Sequence, residues 1–437
     1  MTSCDPPTCS SEESRMPSAP TRPTVAVVGA GVSGLTAAHV LARTADVVLL
    51  EADTRLGGHA HTHEIASPNG RLAIDSGFIV HNQRTYPTFL RLLDDLGVAT
   101  APTEMSMSVT CRECGLSYAG GRGLGGILAQ PGRLADPRFA RLLGQVPRFH
   151  RMARRSLRGD LGDLTWGEFL AGGGFTPYFV THFATPLVAC VWSAGAREAA
   201  AYPARHLFRF LDHHGMLSVT GSPTWRTIVG GSARYVEALA ARLPDVRTHA
   251  PVVAIERHDD GVGVRLAGGD LLEVDRVVLA THADDAAAIL VDASSVEKAA
   301  LTSIPYSRNQ VLLHHDSRLL PRVPRARASW NYSRASCATA EPVVRVDYWM
   351  NRLQGLPADR DYLVTLNGDH AVDPEAVLAR VTYDHPVFTI ESVAAAARLR
   401  TLGGPRLAFA GAHLGWGFHE DGARSGYAAA ERLGGRW

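Results

Sequence analysis

The chain has 437 residues, enough for two or three domains with sizeable buried cores. Its 44 basic and 43 acidic residues give a formal net charge of +1, which argues against a nucleic-acid-binding protein with its usual basic excess. Six cysteines are too few for a disulfide framework in a chain of this length, so we expect a reducing compartment, the cytoplasm.

The amino-terminal segment, residues 1–23, is polar and rich in serine and proline. It lacks the apolar core of a signal peptide and is predicted to be a disordered tail. The stretch that follows, from Thr24 to Ala42, is the most apolar of the chain, but Gly29, Gly31 and Gly34 interrupt it. We interpret it as a buried strand leading into a helix, and expect a soluble protein without a transmembrane segment.

The folded part opens with a strand–helix–strand pattern. Thr24–Val28 is a β-branched apolar run, typical of a strand that is buried on both faces of a parallel sheet. Leu35–Arg43 has the pattern of a helix, and Asp46–Leu50 has that of a second strand. This order predicts a nucleotide-binding α/β unit with its turn at the intervening glycines.

The turn carries the spacing Gly-x-Gly-x-x-Gly. Gly29 permits a tight turn, Gly31 lets a pyrophosphate approach the backbone, and Gly34 lets the helix pack against the strand. Free amides at the helix start bind phosphate charge, and Glu51 at the end of the second strand can accept hydrogen bonds from ribose hydroxyls. The predicted dinucleotide contacts in the turn are Gly29, Ala30, Gly31, Ser33 and Gly34.

The residues after the second strand distinguish FAD from NAD. Glu51, Arg55, Gly57 and Gly58 have the order Glu-x-x-x-Arg-x-Gly-Gly, which resembles the FAD-containing amine oxidase superfamily. That superfamily includes monoamine oxidases, protoporphyrinogen oxidase and phytoene desaturases. The resemblance implies that Arg55 and the two glycines lie along the dinucleotide and the flavin edge, and that Asp75–Gly77 abuts the flavin.

The middle of the chain contains a helix, short strands and then a long helical region. Thr88–Leu96 has its apolar residues on one helical face, and short strands are expected around 105–118. Residues 133–214 are predicted to be mostly helical and to cap the flavin site. Cys111 and Cys114 form a lone Cys-x-x-Cys pair, too few ligands for a structural zinc, so no metal is expected.

The nucleotide-binding part resumes after this helical region. A helix is predicted over Ala233–Leu243, paired strands over Val252–Glu256 and Val262–Leu266, and one further strand over Glu273–Ala280. The resemblance implies that a backbone group near Val253 faces the adenine.

The closing segment is a second region of resemblance. After a predicted strand over Leu407–Gly411, the residues up to Gly426 resemble the C-terminal FAD signature of the superfamily, in which a helix start points at the flavin pyrimidine ring. Helix amides there stabilise the negative charge of a reduced flavin. The implied contacts are Gly411, Asp421 and Gly422, and because no cysteine is near them, FAD is expected to be non-covalent.

These patterns predict an α/β fold in which a Rossmann-type, glutathione-reductase-like FAD-binding domain is interleaved with a mixed sheet and helical substrate domain. The FAD-binding domain is predicted to comprise residues 24–100, 230–295 and 400–437. The substrate domain is predicted to comprise residues 101–229 and 296–399.

Further runs resemble a narrower branch of the superfamily, related to the oxidase domain of plant cyclopropane fatty acid synthases. These runs are residues 57–62, 75–82, 213–216, 225–227, 230–232, 329–332 and 348–354. The resemblance implies an apolar, lipid-like substrate and a lipid-modifying enzyme as a partner.

Catalytic residues are predicted from where the chain departs from amine oxidases. Monoamine and polyamine oxidases place a lysine beside flavin N5, but the corresponding strand here, Pro305–Leu313, has none. His59 and His61 are therefore the leading candidates for flavin contact or proton transfer, with a purely structural role as the alternative.

Several aromatic residues are candidates for the walls of the site. Trp416 and Phe418 are expected over the flavin, Trp416 as part of the catalytic centre and Phe418 toward the substrate. Trp225, Trp330 and Tyr348 are predicted to line the substrate cavity. The alternative for each of these aromatic residues is packing in an ordinary core.

The sequence thus predicts an FAD-dependent oxidoreductase that transfers hydride from an apolar substrate to flavin N5. One alternative is oxidation of a small amine, or desaturation or isomerisation of a polyene. An alternative of another class is a flavin-binding partner that supports a lipid methyltransferase without turnover of its own.

Overall fold

The computed structural model describes residues 22–68, 70–159, 162–193, 195–218, 220–337, 344–357 and 360–437. Residues 1–21 of the predicted tail lie outside the described residues. The strands are β1 Thr24–Val28, β2 Asp46–Leu50, β3 Thr62–Ser67, β4 Gly70–Asp75, β5 Val80–Asn82, β6 Thr100–Thr103, β7 Met107–Cys111, β8 Ser117–Gly120, β9 Trp225–Ile228, β10 Asp245–Arg247, β11 Val252–Arg257, β12 Val262–Leu266, β13 Leu271–Val274, β14 Arg276–Leu279, β15 Tyr306–His314, β16 Trp330–Arg334, β17 Val346–Trp349, β18 Leu363–Leu366, β19 Val377–Pro386 and β20 Leu407–Phe409.

The helices are α1 Val32–Leu41, α2 Pro87–Leu96, α3 Gly123–Ile127, α4 Pro137–Arg158, α5 Trp166–Gly172, α6 Pro177–Phe179, α7 Thr185–Trp192, α8 Ala196–Ala201, α9 Ala204–His213, α10 Ala233–Ala240, α11 Ala283–Ile289, α12 Ser295–Thr302, α13 Met350–Gln354, α14 Ile390–Leu399 and α15 His419–Arg432. A π-helical turn, Val180–Ala184, joins α6 to α7. Across the described ranges, none of the helices combines the length and the apolar character needed to span a bilayer.

A five-stranded parallel sheet with the order β10-β2-β1-β14-β20 contains the predicted strand–helix–strand unit at its centre. Val25 and Val27 of β1 pack into the core under α1, while Ala26 and Val28 pack into a separate core on the opposite face. This two-sided burial explains the uninterrupted apolar run. The helix begins at Val32, earlier than expected, because Gly31 is its extended N-cap residue.

A second, seven-stranded sheet has the order β19-β15-β18-β17-β16-β7-β8 and is antiparallel except for the pair β16–β7. It combines strands from two distant parts of the chain. Helices α4, α5, α7 and α9 contribute a core dominated by aromatic rings, among them Phe149, Trp166 and Phe208. The strands of each sheet thus come from separate stretches of the chain, and the domain boundaries given above stay a prediction.

The single strand predicted over Glu273–Ala280 is wrong, because two strands of different sheets occupy this stretch. β13 pairs with β12 in a three-stranded antiparallel sheet, and β14 pairs with β1 in the parallel sheet. Asp275 stands between them. Its carboxylate accepts a hydrogen bond from the amide of Thr24 at 2.6 Å, and its own amide donates to the Thr24 hydroxyl at 3.1 Å. These hydrogen bonds join the link between β13 and β14 to the first residue of β1.

The last helix, α15, packs directly against the first, α1. A Cβ atom at Gly426 would overlap the carbonyl oxygen of Ser33, so glycine is needed for this close approach. The Glu420 carboxylate accepts hydrogen bonds from the amides of Thr88 at 3.1 Å and Phe89 at 2.9 Å, at the start of α2. The first and last described helices therefore meet beside the parallel sheet.

Candidate active site

A cavity of about 1350 Å³ is lined by residues of the parallel sheet, the seven-stranded sheet and helices α4, α7 and α9. The glycine turn at residues 29–33 and the closing segment at residues 411–413 and 417–419 both line it, although nearly the whole chain separates them. The two segments that resemble FAD signatures are therefore neighbours in space.

The glycine turn leaves open space where a pyrophosphate is expected. Gly29 has a φ of +97°, and a Cβ there would come within 2.8 Å of the carbonyl oxygen of Ala280. A Cβ at Gly31, in contrast, would meet no atom within 4 Å. Gly31 lines the cavity, and the packing of the protein does not require a glycine at this position. Ala30 and Ser33 also line the cavity, whereas Gly34 packs on the carbonyl of Gly29.

Glu51 lines the cavity at the end of β2. Its carboxylate accepts hydrogen bonds from the amides of Ala30 at 2.8 Å and Asp53 at 2.9 Å, which fix it beside the glycine turn. Carboxylate oxygens so placed have lone pairs left for ribose hydroxyls. Val252 also lines the cavity. Val253 is not part of the described wall and is 47% exposed to solvent. The adenine contact near Val253 stays a prediction.

Arg55 organises the loop that carries the glycine pair. Its guanidinium donates to the carbonyl oxygens of Leu56, Gly58 and Ala60 at 3.1, 2.7 and 3.1 Å. Gly58 lines the cavity next to Gly31, and a Cβ on it would lie 3.2 Å from the Gly31 Cα. Arg55 and Gly57 do not belong to the described cavity wall, so their direct contact with a cofactor stays a prediction.

The start of α15 is held by Asp421. Its carboxylate accepts a hydrogen bond from the amide of Phe418 at 3.2 Å and from Arg424 at 2.8 Å. Burial raises the Asp421 pKa to about 6. Gly422 packs against Val32 at the start of α1. Gly411 lines the cavity, whereas Asp421 and Gly422 lie behind the wall and support it.

A cluster of histidine and tyrosine rings forms another part of the wall. The His59 ring stacks on Tyr383 with a centroid distance of 4.7 Å, and His385 and His282 lie 5.5 and 6.4 Å away. Burial lowers the pKa of His59 well below its usual value, and His385 and His282 lower it further. The Nε2 atom of His59 is buried without a hydrogen-bond partner in the described structure. Such an atom at a cavity wall is suited to a ligand contact.

His61 is not part of the described cavity wall, whereas His59 is. Its ring packs on His63 with a centroid distance of 4.1 Å, and its Nδ1 is 3.3 Å from the Tyr383 hydroxyl. Burial lowers its pKa to about 4. Of the two candidate catalytic histidines, the structure brings only His59 into the cavity wall.

Most of the aromatic candidates line the large cavity, but one does not. Phe418, Trp225, Trp330 and Tyr348 all line the large cavity. Trp416 does not; its indole donates to the carbonyl of His206 at 3.2 Å, and it lines a small neighbouring pocket. The role of Trp416 over a flavin stays a prediction that this placement does not favour.

Sequence reasoning missed several wall residues. Tyr383 and His385 alternate along β19, which pairs with β15, so both side chains point to one face of the sheet. That alternation was visible in the sequence, but the pairing of His385 opposite Ser307 was not. Trp192 and Phe210 of the helical cap also line the cavity. The single lysine, Lys298, lies in α12 and is not part of the described wall.

Comparison with known proteins agrees with this geometry. The flavin containing amine oxidoreductase family matches residues 32–312. The chain is 27% identical over 262 residues to (S)-6-hydroxynicotine oxidase of Paenarthrobacter nicotinovorans, an alignment that spans 58% of this chain and 59% of that enzyme.

Solved structures with low sequence identity share the fold. Cyclohexylamine oxidase from Brevibacterium oxydans IH-35A superposes with a TM-score of 0.69 at 18% identity, over 94% of this chain and 98% of that one. The CLA-producing fatty acid isomerase from P. acnes superposes with a TM-score of 0.66 at 17% identity, over 95% and 99%. The predicted α/β fold class is confirmed. The family match covers more than half of the chain, which therefore belongs to the flavin containing amine oxidoreductase family and is a flavin-dependent oxidoreductase.

Proposed function

We propose that the cavity binds one FAD non-covalently and that the enzyme removes hydride from an apolar, lipid-like substrate. The observation that carries the proposal is the continuity of the cavity, whose wall includes the glycine turn, the closing segment and the apolar cap. Its volume of about 1350 Å³ exceeds the roughly 300–1000 Å³ of pockets that hold one small ligand. Room for a dinucleotide and a substrate together supports this proposal.

Three features fit a bound FAD. The open space above Gly31 suits a pyrophosphate, the Glu51 carboxylate suits a ribose, and the start of α15 suits the flavin ring. Cys190 is a cysteine in the described wall, on α7 in the cap. Burial raises the pKa of its thiol far above the usual range, which makes it a poor nucleophile for a covalent link. Acid precipitation is therefore expected to release the flavin.

When bound, FAD supplies an electron-accepting ring whose N5 takes the hydride. The contribution of the protein is to orient the substrate and keep water out. Leu142, Val146, Leu187 and Val191 make the cap side of the wall apolar. His59 stays neutral at pH 7 because of its lowered pKa, so its Nε2 is placed to hydrogen-bond a ligand or to accept a proton.

The cap side of the described wall has no carboxylate, lysine or arginine, which suits an uncharged apolar substrate better than a protonated amine. Glu51, Asp285 and Asp384 are the carboxylates of the described wall, and each belongs to a strand end or to α11 rather than to the cap. The described wall includes no lysine or arginine. A protonated amine against the cap would lack a counter-ion at a desolvation cost. Amine oxidation is the second candidate, because the family is that of flavin containing amine oxidoreductases and a cyclohexylamine oxidase shares the fold.

An anaerobic bleaching screen tests the substrate class. The FAD-loaded protein is mixed without oxygen with three probes: the methyl ester of an unsaturated fatty acid, which carries no charge, cyclohexylamine and putrescine. We expect loss of the oxidised flavin absorbance with the ester only. Bleaching by an amine alone would overturn the lipid proposal in favour of amine oxidation. Tight binding to a lipid methyltransferase without any bleaching would support the non-catalytic partner instead.

Replacing Val191 by tryptophan is expected to block the cap side of the cavity. The larger side chain fills space next to the apolar wall, so the bleaching rate should fall by about tenfold or more while the flavin content stays unchanged. Val229, which is 54% exposed, provides the matched control Val229→Trp and should bleach at the parent rate. Equal rates for both variants would mean that the substrate does not enter the cap.

His59 and His61 provide a matched pair for the proton-transfer role. His59→Leu is expected to slow bleaching by about 100-fold, the order of a lost acid–base or hydrogen-bonding group. His61→Leu, outside the wall, should stay within about threefold of the parent, since its contact reaches the cavity only through Tyr383. The measurement is the bleaching rate at saturating probe, with flavin content as the check on folding. The reverse order of effects would assign the role to His61.

A further inference from the structure

Four side chains of types that bind metals lie close together in space, and all four come from parts of the chain well after the glycine turn. The sulfur atoms of Cys111, Cys114 and Cys337 and the Nε2 of His182 all lie within 4.8 Å of one another. Cys111 and Cys337 are 3.7 Å apart, and His182 is 3.7 Å from both Cys114 and Cys337. We call these four residues the thiol–histidine cluster. Cys111 and His182 are fully buried.

These distances match the edges of a tetrahedral zinc site. With Zn–S bonds of about 2.3 Å and Zn–N bonds of about 2.0 Å, tetrahedral geometry places two sulfurs about 3.8 Å apart and a sulfur about 3.5 Å from a nitrogen. A disulfide instead needs sulfurs about 2.05 Å apart. The sulfurs of Cys111 and Cys337, 3.7 Å apart, fit shared coordination and not a disulfide.

The ligands are also oriented for coordination. The Nδ1 of His182 is 3.1 Å from the carbonyl oxygen of Tyr178, which can only accept a hydrogen bond, so Nδ1 carries the proton. Nε2 is thus left with a free lone pair that faces the three sulfurs, the second-shell arrangement typical of a metal-bound histidine. His182 lies in the π-helical turn, a distortion that frequently marks functional sites.

The two cysteines of the Cys-x-x-Cys pair share a tight turn between β7 and β8. The amide of Cys111 donates to the carbonyl oxygen of Leu116 at 2.9 Å, and the Arg133 guanidinium donates to the carbonyl oxygen of Cys114 at 2.5 Å. Gly115 follows with a φ of +67°, which lets the chain close this turn. These contacts fix the turn that places both sulfurs within 4.8 Å of the other two ligand atoms.

We propose that the thiol–histidine cluster binds one zinc ion as a structural site that fastens the cap. The Cys-x-x-Cys pair alone predicts no metal site. The fold adds His182 and Cys337, and four protein ligands make a closed site without an open catalytic position. The site joins the β7–β8 hairpin, the π-helical turn and the end of β16. Tyr118, which lines the cavity, donates to the His182 carbonyl at 2.7 Å, so the site also supports the cavity wall.

Metal analysis of the purified full-length, FAD-loaded chain tests the proposal. We expect about one zinc per chain. Cys114→Ser and Cys337→Ser should each reduce it at least about tenfold, because each removes one of four ligands. Cys190→Ser, a buried cysteine outside the cluster, is the matched control and should retain the zinc. Flavin content is read from absorbance in the same samples, so loss of zinc and loss of flavin are distinguished.

A second measurement covers variants that fail to fold. The parent chain, grown with cobalt in place of zinc, should show thiolate-to-cobalt charge-transfer absorption and intense tetrahedral bands to the red of the flavin. Reduced parent protein that contains no zinc and takes up neither zinc nor cobalt would overturn the proposal. A disulfide within the cluster, found by mass spectrometry of the native protein, would overturn it as well.

Discussion

Replacing Gly31 by valine is expected to abolish flavin binding while the chain still folds. The backbone of Gly31 is extended, with φ −69° and ψ 177°, a conformation that valine adopts readily. Its Cβ would meet no protein atom within 4 Å, so the parallel sheet and α1 have no reason to move. The new side chain would instead occupy the space proposed for the pyrophosphate. We expect at least about 100-fold weaker FAD binding, which corresponds to the upper range of overpacking costs.

Two other glycines make this result specific. Gly268→Val is the matched control, since a Cβ there also meets nothing within 4 Å and the residue lies outside the cavity wall; it should bind FAD like the parent. At Gly34 a Cβ would overlap the carbonyl oxygen of Gly29, so Gly34→Val should lower the melting temperature itself. Flavin-to-protein absorbance ratios and thermal unfolding measure both effects. A yellow, stoichiometric Gly31→Val protein would contradict the proposed pyrophosphate position.

The sequence was most informative where backbone geometry alone dictates the residue. The glycine turn after β1 and the closing segment before α15 each have a local spacing with a direct steric reason, as Gly29 and Gly426 show. Local rules also identified α2, whose end at Gly97 has the expected left-handed φ of +68°. These features need no knowledge of which distant segment lies beside them.

The remaining site features depend on tertiary register. His59 meets Tyr383 and His385 only because β19 pairs with β15 and then passes behind the glycine-pair loop. Cys111 meets Cys337 only because β7 lies parallel to β16, which places Arg334 opposite Cys111. Neither pairing has a local sequence signal, because hydrophobic alternation defines the faces of a strand but not its neighbour.

A continuous apolar pattern can also predict one strand where the structure has two strands separated by a single residue. The apolar residues on both sides of Asp275 are continuous enough to predict one strand, yet hydrogen bonds from this residue to Thr24 divide β13 from β14. Similarly, Trp416 and Phe418 are two residues apart in the closing segment, but only Phe418 faces the cavity. Gly417 between them has a φ of +88°, and this local backbone conformation cannot be deduced from residue spacing.

Acidification from pH 7 to pH 4 is expected to lower the free energy of unfolding by on the order of 5 kcal/mol. Burial lowers the pKa of His81 and His314 from 6.5 to about 4 and that of His413 to about 3. The unfolded chain therefore binds more protons than the folded chain below pH 6.5, and stability falls as the pH approaches 4. Six buried histidines outside the thiol–histidine cluster share this direction: His39, His81, His214, His314, His413 and His419.

Four buried carboxyls act in the opposite direction, and one of them is Glu420, whose pKa burial raises. Burial raises the pKa of Asp75, Asp347 and Asp421 from 3.8 to about 6, so the folded chain binds their protons more tightly between those values. Their protonation stabilises the fold as the pH falls through 6. The histidines outnumber them, and each pKa unit is worth about 1.4 kcal/mol, so the net change on acidification is a loss. Urea unfolding of the FAD-loaded protein at a series of pH values measures it.

His81→Leu separates the histidine contribution from the rest. Both ring nitrogens of His81 are buried without a hydrogen-bond partner in the described structure, and leucine is apolar and similar in size. We expect the free energy of unfolding of the variant to exceed that of the parent by about 1–3 kcal/mol at pH 5. The variant should also lose stability less steeply as the pH falls, because it takes up about one proton fewer on unfolding. The reason is that a neutral buried imidazole takes up a proton when the protein unfolds in acid. His258→Leu, at an exposed position, is the control and should follow the parent curve. If the stability of His81→Leu and of the parent changed with pH in parallel, His81 would not couple protonation to folding.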